Sequence, residues 1–317
     1  MNLPESDAQQ IGTGLPHACG NPPLYPVNQA VTLLAPAKVN LFIDVLDRRP
    51  DGYHNLDAVN VSVSLFDEIE LLINESGTFE LSCNWDHIPS DNTNHLLKAA
   101  AMLLEGTRYG VSIRLHKRIP VGAGLGGGTA DAGVLLRYLG KFLQASERSL
   151  MQKALLVGSD VPFCLHGGPA RVRGRGEWVA PLKGVPPLRL ALLDPGGNHE
   201  TRSVYARMVP SERRAHPPAE DFILAWRKAD WNLMGSRMFN AFQEVVFSQR
   251  PELDTFCQIL LDRGCAGVCL TGTGSHLVGL LPEDSPPVGS WGLDSTEFRV
   301  QEVATLETDF KGWIQRH

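Results

Sequence analysis

The stretch from Pro120 to Gly133 constrains the fold most, because it places five glycines among the seven residues 122–128. Glycine adopts positive φ without strain and lets the backbone approach a ligand closely. An apolar periodicity follows the glycines and predicts a helix from Thr129 to about residue 143. The loop therefore leads into a helix N-terminus, where unpaired N–H groups favour an anion such as a nucleotide phosphate. A flexible turn is the alternative interpretation, although Pro120 and Thr129 give the loop a defined entry and exit.

Two common nucleotide-binding loops are excluded by the neighbouring residues. The P-loop requires a lysine and a hydroxyl residue after its last glycine, and no lysine follows here. A dinucleotide fingerprint requires an acidic residue at the end of a second strand about 20 residues further on. Residues 141–147 instead have the pattern of a helix end and a loop. Any positive charge for a bound phosphate must therefore come from another segment.

Composition limits the class of protein. A chain of 317 residues is long enough for two domains, and its net charge of −6 argues against a protein that coats nucleic acid. The six cysteines form no C-x-x-C pair and favour reduced thiols in a cytoplasmic protein. No apolar run approaches the ~18 residues of a membrane span. Residues 1–29 have neither lysine nor arginine nor an apolar core, so we interpret them as a disordered leader.

The N-terminal half predicts strands around the glycine stretch. A strand over Val31–Leu46 places Lys38 and Asn40 on one side, which suggests either a polar pocket or a solvated face. A half-buried strand at residues 59–65, a turn at Phe66-Asp67 and further strands follow. A helix is predicted at 94–106, and a strand at 111–116 leads to the glycines.

Two short segments carry side chains that could bind a ligand or take part in catalysis. Tyr53 and His54 follow a turn, where they are either ligand-binding residues or the edge of a hairpin. Asp160 precedes an apolar segment containing a proline, where it is either a helix cap or a catalytic carboxylate.

The second half alternates strands and helices, with a domain boundary predicted near residues 181–187. Helices are predicted near 202–209, 219–228, 236–248 and 251–263. A second loop of small residues, Thr271–Ser275, lies between two predicted strands, and the last strand is expected at 297–303. The predicted domains are therefore residues 30–182 and 183–317, and the fold class is α+β.

Four segments occur in a family-like order: Lys38-Val39-Asn40-Leu41, Asp51-Gly52-Tyr53-His54, Gly126-Gly127-Gly128-Thr129 and Ser159-Asp160-Val161-Pro162. Together with the loop at Thr271–Gly274, they resemble the superfamily of galactokinase, homoserine kinase, mevalonate kinase and phosphomevalonate kinase. Within that superfamily, the sequence resembles the 4-diphosphocytidyl-2-C-methyl-D-erythritol kinase family of the non-mevalonate route to isoprenoids. The resemblance covers about residues 33–281.

The resemblance implies a ribosomal-protein-S5-like N-terminal domain, a ferredoxin-like C-terminal domain and an active site between them. It implies ATP-dependent phosphorylation of the 2-hydroxyl of the cytidylated acceptor. It also implies that Asp160 is the general base and that Lys38 lies beside it. Phosphoryl transfer depends mainly on positioning and charge stabilisation, and a carboxylate that accepts the alcohol proton assists it.

By the same resemblance, further residues take binding roles. The residues expected to bind ATP are Asn94, Lys117, Pro120, Gly122, Gly124, Leu125, Gly126, Gly127, Gly128 and Thr129. The Thr129 hydroxyl is also a candidate ligand of Mg²⁺. The residues expected to bind the acceptor are Asn40, Tyr53, His54, Asp160, Thr201, Tyr205, Gly272, Thr273 and Gly274. An aromatic ring can stack on cytosine, and an imidazole can hydrogen-bond to its edge.

The sequence also departs from the family pattern. Asn60 occupies a position that can carry a second stacking aromatic, and Ala130 replaces a frequent serine. A superfamily kinase for another alcohol and a non-catalytic nucleotide-binding relative remain alternatives. A small molecule carrying cytidine diphosphate is the expected partner, without nucleic acid or membrane, and the expected assembly is a monomer or a homodimer.

Overall fold

The structure, a computed structural model, describes residues 25–197, 201–208, 216, 218–293, 295–307 and 313–316. Most of the predicted leader, residues 1–24, lies outside the described residues. The described part is an α+β fold built on two sheets, as the sequence predicted. In that part, no helix is both long enough and apolar enough to cross a membrane.

The first sheet is built on two long antiparallel strands, β1 (Ala30–Arg48) and β2 (His54–Asn74). The other strands of this sheet are β3 (Phe79–Cys83), β4 (Gly110–His116), β5 (Ala170–Gly174), β6 (Trp178–Pro181), β8 (Phe239–Asn240) and β12 (Ile314–Arg316). The pairing of β1 with β2 shifts register between Pro36 and Lys38 and again between Asn40 and Phe42. These register shifts lie on either side of Lys38 and Asn40, the two polar residues of β1 that were predicted to share one side of the strand.

Four helices contribute to the core beside the first sheet. They are α1 (His95–Leu104), α2 (Gly127–Phe142), α3 (Glu147–Val157) and α4 (Val161–His166). Apolar residues of α2, such as Leu135 and Leu139, are fully buried in the same core as Ile69 and Leu71 of β2. Burial of this apolar area stabilises the helix that follows the glycine loop.

The second sheet has the order β11-β7-β10-β9 and is antiparallel throughout. Its strands are β7 (Arg189–Asp194), β9 (Gly267–Leu270), β10 (Leu277–Leu281) and β11 (Arg299–Ala304). Five helices lie in this half of the described chain: α5 (Thr201–Ala206), α6 (Ala219–Arg227), α7 (Trp231–Arg237), α8 (Gln243–Gln249) and α9 (Glu252–Asp262).

A second core joins the two sheets. It unites Val39 of β1, Val61 of β2 and Leu190 of β7 with Phe222 and Trp226 of α6, each of which is completely buried. Both faces of β1 and β2 are therefore covered. The site residues that lie on these strands are held on a rigid base between the two halves of the molecule.

Four predictions of local structure were wrong. The predicted turn at Phe66-Asp67 lies inside β2, where Asp67 is buried because its carboxylate accepts hydrogen bonds from the backbone N–H groups of Arg118 and Ile119. The strand at 59–65 was expected to be half-buried, but Asn60 and Ser62 are each only 2% exposed. Its polar face is covered because Asn60 bonds to Asn40 of β1.

The third wrong prediction was a continuous helix at 236–248. The chain instead forms α7, the two-residue strand β8 and then α8. Strand β8 pairs in parallel with Phe42 and Ile43, and the Asn240 amide donates to the carbonyls of Leu270 and Gly272. These long-range bonds stabilise the break. The strand expected to be the last, at 297–303, is also followed by β12, which pairs with β1.

Candidate active site

Alternating glycines and buried apolar residues shape the loop at 122–126. Gly122, Gly124 and Gly126 have φ values of 71°, 77° and 67°, which favour glycine. Between them, Ala123 and Leu125 are 2% and 0% exposed. The apolar side chains anchor the loop in the second core, while the glycines turn the backbone. The loop is therefore a defined structure rather than a flexible turn.

The loop ends at the N-terminus of α2, as predicted, two residues earlier than Thr129. Gly126 is the N-cap, and no side chain caps this helix. The Thr129 hydroxyl donates to the Gly126 carbonyl at 2.8 Å, so it bonds backward instead of capping. An uncapped N-terminus of a 16-residue helix that opens on a glycine loop suits a phosphate.

The second loop of small residues packs directly on the first. A methyl group added at Gly124 would lie 2.0 Å from the Thr271 carbonyl oxygen, and one added at Gly272 would lie 2.9 Å from the Gly124 carbonyl oxygen. The N–H of Gly274 donates to the Thr271 carbonyl at 3.1 Å, and Thr273 is only 8% exposed. The two loops therefore meet at the junction of the two sheets, which requires glycine at both contact points.

Lys38 connects the glycine loop to Asp160. Its backbone N–H donates to the Leu125 carbonyl at 2.9 Å, and a methyl group at Gly126 would lie 2.7 Å from its Cγ. Its Nζ lies 3.2 Å from Asp160 Oδ2, and the side chains of Lys38 and Asp160 are 6% and 40% exposed. A buried ammonium group thus faces a carboxylate that remains accessible beside the loop.

Asp160 is not acting as a helix cap, which was the alternative interpretation. It occupies the N-cap position of α4, but its carboxylate makes no capping hydrogen bond. The carboxylate instead pairs with Lys38. An accessible carboxylate beside a lysine can accept a proton from an alcohol.

Asn40 extends the polar row on β1. Lys38 Nζ donates to Asn40 Oδ1 at 2.8 Å, and Asn40 Nδ2 donates to Asn60 Oδ1 at 2.5 Å. The Asn40 backbone N–H donates to the Thr271 hydroxyl at 2.9 Å. Lys38 and Asn40 thus form a buried polar pocket and not a solvated face. Asn60, which departs from the family pattern, serves here as the hydrogen-bond partner of Asn40.

Lys117 lies beneath the start of α2. Its Nζ donates to Asp67 and to Asp131 Oδ2, the latter at 3.0 Å, and all three residues are at least nine-tenths buried. A methyl group at Gly127 would lie 2.8 Å from the same Nζ. The two carboxylates raise the pKa of Lys117 against the opposing effect of burial. The ammonium group therefore supports the loop from below, and its predicted contact with ATP stays a prediction.

Asn94 forms the N-cap of α1. Its Oδ1 accepts from the Leu96 N–H at 2.8 Å, and its Nδ2 donates to the Pro89 carbonyl at 2.8 Å. The next residue, His95, approaches the glycine loop, because a methyl group at Gly128 would lie 3.2 Å from His95 Nδ1. Burial lowers the pKa of His95, with a smaller contribution from Lys98. No sequence pattern pointed to His95, whose neutral imidazole lies beside the proposed phosphate site.

Two of the residues predicted for the acceptor, His54 and Tyr205, contact each other. The rings of His54 and Tyr205 stack with centroids 5.4 Å apart and planes inclined by 29°. Burial raises the pKa of Tyr205, and the charge of Asp160 adds to this shift. Burial also lowers the pKa of His54, which favours a neutral imidazole.

Tyr53 lies at the rim, with 48% of its surface exposed. The Arg175 guanidinium carbon lies 4.1 Å from the centroid of its ring. Sequence reasoning missed Arg175, which is in the turn between β5 and β6, more than 120 residues away along the chain. Of the remaining predicted acceptor residues, Thr201 begins α5, and its side chain lies outside the described part.

Comparison with known proteins now identifies the family. The model of the N-terminal domain of GHMP kinases matches residues 94–168, and the model of the C-terminal domain matches residues 222–288. The 4-diphosphocytidyl-2-C-methyl-D-erythritol kinase of Brevibacillus brevis is 34% identical over 259 residues, which cover 80% of this chain and 89% of that protein. The chain belongs to the 4-diphosphocytidyl-2-C-methyl-D-erythritol kinase family. The Pelotomaculum thermopropionicum member of the family is 37% identical over 254 residues, covering 79% of this chain and 88% of that protein.

Solved structures agree with this membership. A crystal structure of 4-(cytidine 5′-diphospho)-2C-methyl-D-erythritol kinase is 31% identical, with a TM-score of 0.67 over 86% of this chain and 98% of that chain. A homoserine kinase from Cytophaga hutchinsonii has a TM-score of 0.70 over 90% of this chain and 98% of that chain, but at 19% identity it shows the fold alone. The predicted two-domain α+β kinase fold and the predicted small-molecule kinase are therefore confirmed. The alternative of a non-catalytic relative is not supported.

Proposed function

We propose that this kinase transfers the γ-phosphoryl group of ATP to the 2-hydroxyl of 4-diphosphocytidyl-2-C-methyl-D-erythritol in the cytoplasm, as a step in isoprenoid precursor synthesis. The observation that carries the proposal is the Lys38–Asp160 pair, 3.2 Å apart beside the glycine loop. The Lys38 N–H donates to the Leu125 carbonyl of the glycine loop, and the Asp160 side chain stays accessible to an acceptor.

The donor half of the site is the glycine loop with the N-terminus of α2. Backbone N–H groups and the helix dipole favour the phosphates of ATP. Among the described residues, no cluster of three His, Cys, Asp or Glu side chains could hold a metal ion. This suits Mg²⁺ bound mainly through nucleotide phosphates with one or two protein ligands. The Thr129 hydroxyl, which donates to the Gly126 carbonyl at 2.8 Å and accepts from the Cys164 thiol at 3.8 Å, is the candidate ligand.

The roles of the side chains follow from charge. Asp160 accepts the proton of the acceptor hydroxyl as the oxygen attacks the γ-phosphorus. Lys38 offsets negative charge on the transferring group. Asn40 orients the ammonium group of Lys38, because its Oδ1 accepts from Lys38 Nζ at 2.8 Å, and its contact with the hydroxyls of the acceptor stays a prediction.

The proposed acceptor half consists of Tyr53 and of the stacked rings of His54 and Tyr205. The exposed face of Tyr53 can stack on a pyrimidine, and neutral His54 can both donate and accept at its edge. Homoserine and mevalonate lack such a base, so they would leave the exposed face of the Tyr53 ring uncovered. These rings therefore favour the cytidylated acceptor over a smaller alcohol.

A coupled assay of ADP release tests the proposal. We expect turnover with ATP and the cytidylated acceptor, and at most trace turnover with homoserine or mevalonate. The Asp160→Asn variant should lose about 10²- to 10⁴-fold in kcat while its affinity for ATP is retained. Asp262→Asn, at the end of α9, is a matched control. Preferred turnover of another alcohol would overturn the acceptor assignment, and near-normal turnover of Asp160→Asn would remove Asp160 from the mechanism.

A further inference from the structure

Tyr53 is held from behind by the turn that connects β5 and β6. The Arg175 guanidinium lies 4.1 Å from the ring centroid, within the range of a cation–π contact. The same guanidinium donates through Nη2 to the Leu155 carbonyl at 3.0 Å, in the last turn of α3. Its Nε is buried and has no hydrogen-bond partner among the described residues. One planar side chain thus connects a helix end to one face of the Tyr53 ring.

Two ion pairs, both made by Arg49, connect the two loops that carry these residues. Arg49 pairs with Asp51 at 3.1 Å and with Glu177 at 2.9 Å. Asp51 Oδ1 accepts from the Tyr53 N–H at 3.1 Å, and the Glu177 carboxylate accepts from the Arg175 N–H. Arg49 therefore joins the turn before Tyr53 to the turn that contains Arg175. The two residues of the cation–π contact are thus held by the same guanidinium group.

The turn that contains Arg175 also contacts the segment before Asp160. A methyl group at Gly176 would lie 2.0 Å from the Ser159 carbonyl oxygen, so this turn packs directly on that backbone. The position of the Tyr53 ring is thereby tied to the position of Asp160. Arg175 and Gly176 therefore fix the distance between Asp160 and an acceptor that stacks on Tyr53.

We infer that Arg175 is a positioning residue for the acceptor: it covers the rear face of Tyr53 so that the pyrimidine of the substrate stacks on the exposed front face. The inference rests on the proposed function, because it requires Tyr53 to bind the cytidine end. Arg175 acts through Tyr53 and need not touch the substrate. A lysine would not replace it, because an ammonium group lacks the planar surface that stacks on a ring.

Steady-state kinetics of Arg175→Ala test this inference. We expect the KM for the cytidylated acceptor to rise about 3- to 30-fold, the range that a cation–π contact supports. The KM for ATP and kcat at saturating acceptor should change by less than about twofold. Arg175→Lys should remain impaired. Arg173→Ala, which removes the same charge from an exposed position on β5, is the matched control and should leave all three constants unchanged.

A double-mutant cycle separates an action through Tyr53 from a direct contact with the substrate. If Arg175 acts through Tyr53, adding Arg175→Ala to Tyr53→Ala should raise the acceptor KM no further. An unchanged KM in Arg175→Ala, or additive effects in the double variant, would overturn the inference. Wild-type enzyme without turnover of the cytidylated acceptor would instead overturn the proposed function. If Arg175→Ala does not fold, Arg175→Gln keeps a planar donor to Leu155, lacks the charge, and should show the same rise in acceptor KM.

Discussion

Two lysines lie next to the glycine loop, and their burial alone does not distinguish them. Lys38 and Lys117 are each 5% exposed, and each forms an ion pair with a carboxylate. Their partners differ. The Asp160 side chain is 40% exposed, whereas the side chains of Asp67 and Asp131 are 0% and 3% exposed. Lys38 therefore belongs to a pair that substrate can reach, and Lys117 to a pair that is closed within the fold.

The difference indicates two uses of the same residue type. An accessible carboxylate can accept a proton from substrate, and the ammonium group beside it is then close to the reacting group. An ammonium group between two buried carboxylates mainly stabilises the loop above it, because every charge there depends on the other two. Substitution of each lysine by methionine, which keeps most of the volume, should therefore affect different measurements.

The largest effect is expected for Lys117→Met. The substitution leaves two buried carboxylates without their counter-charge, and breaking a buried ion pair in this way costs about 3–5 kcal/mol. Chemical denaturation would measure the loss in free energy of unfolding. Lys183→Met, at an exposed loop position, is the control and should change stability by less than about 0.5 kcal/mol. Unchanged stability with a raised KM for ATP would show instead that Lys117 mainly contacts the nucleotide.

The Lys38→Met variant should show the opposite pattern. Removing one group that stabilises charge in a transition state typically lowers kcat by about 10²- to 10³-fold. Because its partner Asp160 is already partly hydrated, we expect a smaller loss of stability than for Lys117→Met. Stopped-time assays of ADP release and parallel denaturation curves measure the two effects. A variant that keeps its kcat but unfolds easily would assign Lys38 a structural role and end the distinction between the two lysines.

Local sequence patterns were sufficient for much of the fold, whereas the pairing of Lys38 with Asp160 was implied only by the family resemblance. Alternation placed Lys38 and Asn40 on one side of a strand, and the glycines with the following apolar periodicity predicted the loop and α2. The bounds of α1 and α6 also lie within a few residues of the predictions. These features depend on neighbours in sequence, so the pattern of residues carries them.

The parts that sequence reasoning missed depend on contacts between distant segments. Asp67 has the local pattern of a turn residue, but Lys117, 50 residues further on, and two backbone N–H groups satisfy its carboxylate inside β2. Arg175 has the pattern of a solvated turn, and only the fold brings it over Tyr53. The break between α7 and α8 likewise depends on pairing with β1. No local periodicity reports such pairings.

The smallest expected effect is a pH dependence of stability that comes from Asp131, the second carboxylate beside Lys117. Burial, with the nearby charge of Asp67, raises the pKa of Asp131 from an ordinary 3.8 to about 7, although Lys117 opposes the shift. Asp131 Oδ1 also has no hydrogen-bond partner among the described residues. Since the folded state holds this proton more tightly than the unfolded state, the stability that it contributes is present below about pH 4 and is lost as pH rises through about 7.

Asp131→Asn should remove this dependence, because an amide keeps the shape without the titration. We expect the stability of the variant relative to wild type to increase between about pH 5 and pH 7, by at most about 1.4 kcal/mol per pH unit, and to level off above that range. Denaturation curves at several pH values measure this difference, and Asp254→Asn on α9 is a control away from the lysines. A difference that stays constant with pH would mean that Asp131 is fully ionised beside Lys117. Lys117 would then keep both buried carboxylates in their charged form. The two lysine sites would differ only in the exposure of their carboxylates and not in the protonation of those carboxylates.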